Sequence, residues 1–136
     1  MPEAPNHGIR IDLDDDADSY VSVEAEYNAL DFTTAKQIAD LQVNGLKNFG
    51  GASKIKIKRE STMLCNLPAV RQTVEYEDSV SGTPGINYGV FTLRPREKYG
   101  DIAYDVTLST SPSGLNEAMP LFLQVLRSFK CTAPKG

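Results

Sequence analysis

Asp14, Asp16 and Asp18 place carboxylates at alternate positions, as the opening of an EF-hand calcium loop does. The remainder of such a loop is missing. Its sixth position is Ser19, where the sharp bend needs glycine, and its twelfth is Ala25, where a bidentate glutamate closes the site. The cluster reads as a solvated acidic turn, and no metal is expected.

Nucleophilic catalysis would require a base beside Cys65, Ser53 or another hydroxyl. His7 is the only histidine, it lies close to one end, and no Gly-x-Ser-x-Gly elbow is present. A Cys-x-x-Cys pair is also absent, so zinc has no tetrahedral ligand set. Glu75, Glu77, Asp101 and Asp105 could meet across strands and share acid-base work, but carboxylates on a wet sheet face are the ordinary explanation for them. Gly45–Lys54 (GLKNFGGASK) nearly spells a phosphate loop, but it falls at a helix end, where carbonyls rather than amides are left over. No catalytic residue and no cofactor are assigned.

Lys54, Lys56, Lys58 and Arg59 form the one basic cluster, and alternation puts the three lysines on one strand face. No aromatic residue interleaves with it and the whole chain carries −4, which argues against nucleic acid and for a protein partner or an aggregation-resistant edge. Charge is unevenly placed: residues 1–50 hold three basic and ten acidic side chains (−7), residues 51–136 eleven and eight (+3). Two opposed polar surfaces follow from that split.

The elements that must position these groups follow from periodicity. Residues 7–13 (HGIRIDL) and 20–26 (YVSVEAE) alternate with period two and read as strands joined by the aspartate turn. From Thr34, the spacing of Ile38, Leu41, Gly45, Leu46 and Phe49 is helical, with Thr34 and Gln37 as a capping box and Gly50-Gly51 as the stop. A helix of about 16 residues would be ~24 Å long and could cross four or five strands. Alternation returns at 53–60, 69–78, 87–93 and 102–110, with a turn cluster at 81–85 and a connection at 94–101. The last apolar set, Leu115, Met119, Phe122, Val125, Leu126 and Phe129, is helical again, with regular helix expected from 117–120 to Lys130 because Pro120 suits a first turn.

The order predicts an α+β fold, a mostly antiparallel sheet of about six strands covered by two helices, and an α-β-α sandwich if the helices take opposite faces. Residues 1–6 read as a flexible lead, 7–131 as a single domain and 132–136 as a flexible tail. No apolar run is long enough to span a membrane as a helix, and no signal peptide is visible; the start fits an exported domain behind an added methionine as well as a cytoplasmic protein. Cys65 and Cys131 could be bonded, closing a 66-residue loop, or reduced.

This order, with Gly8-Ile9 opening the first strand, Leu67-Pro68-Ala69 leading into paired strands, Tyr104–Leu108 as the last strand and Phe122–Phe129 (FLQVLRSF) closing the chain, resembles the superfamily of the photosystem II extrinsic protein PsbP, the Mog proteins and the DcrB-like and LpqN-like lipoproteins. Relatives often carry proline and tryptophan after the first strand; this chain has Leu13-Asp14-Asp15-Asp16 and no tryptophan. The resemblance implies a non-enzymatic binding or accessory module that docks on a protein, in the periplasm or cell envelope, with any membrane tether outside this chain. A cytoplasmic adaptor or chaperone of the same fold and a small carboxylate-based hydrolase or lyase are the alternatives. The basic cluster Lys54, Lys56, Lys58 and Arg59 is the expected partner surface.

Overall fold

The computed structural model describes residues 7–13, 16–27, 33–48, 51–94 and 102–129. The expected lead, the tail, Asp14, Asp15, Asp101 and Cys131 lie outside them. The elements are β1 (His7–Leu13), β2 (Asp16–Tyr27), α1 (Ala35–Asn48), β3 (Ala52–Leu64), β4 (Leu67–Asp78), β5 (Pro84–Arg94), β6 (Ile102–Thr110) and α2 (Leu115–Ser128). The class is α+β, and the sheet, ordered β1-β2-β6-β5-β4-β3, is antiparallel at every pairing.

Alternation sends successive residues of the central strands to different sides. Val90 of β5 and Tyr104, Val106 and Leu108 of β6 join a cluster with Ala118 and Phe122 of α2. Phe91 and Ala103 join another, with Ile38 and Ala39 of α1. The first side is called the Phe122 face here and the second the Phe91 face. Phe122 is fully buried and meets Tyr88 with ring centroids 6.3 Å apart, while Phe129 meets Tyr104 edge-on at 5.9 Å. Ser19 and Thr110, both buried, satisfy each other through their hydroxyls at 2.8 Å.

The helix ends have local causes. At α1, Gln37 Oε1 accepts from the Thr34 and Thr33 amides, which is the Gln half of a capping box. Beyond its C-terminus Gly51 adopts φ +65°. The helix has 14 residues and sits against β3, β4 and β5, so it reaches fewer strands than its expected length suggested. α2 begins at Leu115, earlier than expected, which puts Pro120 in its second turn; Gly114 supplies the N-cap without a side-chain bond.

Four strands are longer than their alternation implied, β4 by the two residues Leu67 and Pro68. β2 starts at Asp16, so Asp16 and Asp18 belong to a strand and not to a turn, and a register shift between Asp12 and Leu13 marks the hairpin end. β3 continues through Ser61–Leu64, then reverses at Cys65-Asn66, whose φ values of 54° and 61° make the two-residue turn that matches strand twist. β5 takes in Pro84 and Gly85, and Gly85 leaves the space beside it to the ring of Tyr76, which a Cβ would have to displace. The β4–β5 turn is held by Asp78, whose carboxylate accepts from the Val80 and Ser81 amides at 2.8 and 2.9 Å. The Ser81 and then the Val80 bond draw its pKa below the ordinary 3.8.

Truncating Phe122→Ala is expected to cost about 3–5 kcal/mol of unfolding free energy, because the cavity opens between both layers of that cluster. Leu123→Ala, at a position 36% exposed, should cost less than about 1 kcal/mol. Urea denaturation of the two variants checks the contrast.

Candidate functional site

On the Phe122 face, α2 packs on β6 and β2, its cluster takes in Leu64 and Ala69 beside the β3–β4 turn, and among the described residues no helix covers the stretch of β3 and β4 from Lys56 to Glu60 and from Arg71 to Glu75. The register there places Lys56 opposite Glu75, Lys58 opposite Thr73, and Glu60 opposite Arg71, with Thr73 in turn opposite Tyr88 of β5. These residues line an open depression of about 490 Å³. Tyr88, its ring tilted against that of Phe122, marks the boundary between the packed and the open parts.

Two lysines and one arginine face two glutamates, so the depression carries +1 in alternating signs. Lys58 and Glu60 approach to 3.9 Å with 79% and 60% of their side chains exposed, a solvent-screened contact that holds neither firmly. Arg71 is half-buried, and its side chain has no hydrogen bond or ion pair among the described residues. Lys54, whose φ of 50° sits in the register shift between Ser53 and Lys56, reaches Glu77 at 3.2 Å.

Arg59 leaves the opposite face. Its Nη2 meets Asp40 Oδ1 of α1 at 2.6 Å, and its Nε donates to Gln72 Oε1 at 2.7 Å. Gln72 is 1% exposed and passes the connection on, Nε2 donating to the Ala39 carbonyl at 3.2 Å. The basic cluster therefore divides: Lys56 and Lys58 line the depression, Lys54 is tied to Glu77, and Arg59 clamps β3 to β4 and α1. Sequence reading missed Arg71 and Tyr88, which enter only through cross-strand register.

Of the four candidate carboxylates, Asp101 lies outside the described residues, and the other three divide between the faces. Glu75 pairs with Ile86 and Glu77 with Pro84, on the Phe122 face, whereas Asp105 pairs with Phe91 on the other. The side chain of His7 lies outside the described ones. Among the described residues no group of three or more His, Cys, Asp or Glu is placed to hold a metal ion, and no helix is long and apolar enough to cross a membrane. Tyr76, away from the depression, has its pKa raised above the ordinary 10.0, first by burial and then by Tyr20, against a lowering bond with Asn87. Cys65 is disulfide-bonded, and it packs in the cluster that contains Leu126 and Phe129.

No family model matches the chain, and no curated protein matches it. A solved structure does: PA94 of Pseudomonas aeruginosa, described as a protein of unknown function and candidate regulator. The likeness has a TM-score of 0.64 over 100% of this chain and 87% of that one, at 12% identity. At that identity it is a likeness of fold.

Arg59→Ala is expected to destabilise by about 1–3 kcal/mol, because the buried Gln72 carbonyl loses its donor. In a Gln72→Leu background the same change should cost about 1 kcal/mol or less, the remainder being the solvent-screened pair with Asp40. A double-mutant cycle by chemical denaturation measures the difference.

Proposed function

We propose that this chain is a non-enzymatic binding module, an α-β-α sandwich of six strands between two helices, that docks on a protein partner with the open β3–β4 part of its Phe122 face. The observation that carries this reading is the depression itself: a shallow, solvated stretch of sheet whose Lys56, Lys58 and Arg71 alternate with Glu60 and Glu75. Such a surface offers charge complementarity to another surface. Acid-base chemistry by a carboxylate pair instead needs the two groups enclosed together, and Asp105 stands on the other face of the sheet from Glu75 and Glu77.

An exported member of the PsbP/DcrB-like superfamily remains the proposed setting. The disulfide at Cys65 supports an oxidising compartment over a cytoplasmic adaptor. Its proposed partner is Cys131, the only other cysteine, two residues beyond Phe129, with which Cys65 shares a cluster.

A photo-activated cross-linking residue at Thr73 is expected to capture one defined polypeptide reproducibly in the native cell, while the same residue at Gln124, exposed on α2, captures none. Equal capture at both positions, or none at Thr73, would contradict docking by this face. Reduction, or Cys65→Ser, is expected to lower the unfolding free energy by roughly 4 kcal/mol, the chain-entropy value for a loop of this length. An unchanged Tm on reduction would count against the pairing.

A further inference from the structure

β3 is an outer strand of the sheet, and its turn determines which of its backbone groups remain open. Leu64 and Leu67 flank the two-residue turn and form the hydrogen-bonded pair that closes such a hairpin. Counting back by twos, Thr62, Glu60, Lys58 and Lys56 also turn N–H and C=O toward β4. Met63, Ser61, Arg59 and Ile57 therefore turn theirs away from the sheet. The pairing is regular from Lys56 to Leu64, so among the described residues this open ladder is nine residues long, and the shift between Ser53 and Lys56 ends it.

The side chains beside that ladder differ by face. Ile57 and Met63, on the Phe91 face, are 45% and 60% exposed although apolar. Lys56 and Lys58 stand on the other, with Arg71 one strand behind. An added strand would present alternate residues to each. Self-pairing is disfavoured, because Lys56, Lys58 and Arg59 against Glu60 give the stretch +2 and two copies would repel.

We propose that β3 receives an extended acidic segment of the partner as an additional strand, with Asp or Glu at alternate positions beside Lys56 and Lys58 and apolar residues between them, beside Ile57 and Met63. This deepens the docking reading above and rests on it. Backbone bonds to Ile57, Arg59, Ser61 and Met63 supply general affinity; the lysines select for acidity, and the two exposed apolar side chains for the alternation.

The test is titration of the full chain with a labelled nine-residue peptide alternating glutamate and valine. Saturable binding is expected. It should weaken about tenfold or more in Lys56→Glu/Lys58→Glu, whose exposed positions leave folding intact, and when salt rises from about 50 to about 300 mM. A peptide with proline at its centre should also bind more weakly, since it loses a ladder donor. In amide NMR spectra of the protein, shifts should centre on Ile57, Arg59, Ser61 and Met63. Equal binding of a lysine-valine peptide, undiminished binding by the double variant, or self-association through β3 in sedimentation would overturn the proposal. Absent peptide binding with the Thr73 cross-link retained overturns strand addition alone; loss of that cross-link overturns the docking reading itself.

Discussion

A helix is about 10 Å across and strands lie ~4.8 Å apart, so one helix laid on a sheet shields roughly two or three strands. The organisation of this protein depends on that limit. α1 is spent on β3, β4 and β5, and α2 on β6 and β2. Each helix serves its own apolar cluster, so the sheet is sealed where the two clusters lie and is wet elsewhere. The open β3–β4 stretch is what remains when two fourteen-residue helices have covered what they can.

An outer strand left half-uncovered must be held by something other than a helix on both sides. Gln72 does this from within: fully buried, it accepts from Arg59 of β3 and donates to Ala39 of α1. The same strand therefore has one side anchored and the other presented. At its far end the Cys65-Asn66 turn adopts left-handed backbone angles that ordinary residues disfavour, and Cys65 is fixed there by a disulfide and by packing. Anchoring at Arg59 and at the Cys65-Asn66 turn pre-organises the strand that carries the exposed lysines, which lowers the ordering cost of any association.

Much of this organisation was legible in the sequence where period and chemistry agreed. β6 runs over the alternating stretch 102–110, and the Thr34/Gln37 signal marks the start of α1. Legibility failed where local chemistry opposed tertiary context. Asp16 and Asp18 are poor strand formers, yet pairing with neighbours carries β2 back to Asp16. Cys-Asn lacks the glycine that usually signals a two-residue turn, so the extension of β3 to Leu64 was invisible. Pro120 pointed to a first turn, but packing of Leu115 and Ala118 starts α2 sooner. Within the candidate site the lysine row was readable from alternation. Arg71 and Tyr88, and the departure of Arg59 to the other face, depend on register between strands distant in sequence.

Amide hydrogen exchange along β3 in the free protein tests most directly whether this edge is open. The account predicts alternation: fast exchange at Ile57, Arg59, Ser61 and Met63, and protection at Lys56, Lys58, Glu60 and Thr62. Uniform protection along the strand would mean that its outer ladder is already occupied, and uniform fast exchange would mean that the strand is not held to β4 at all; either result would contradict the account.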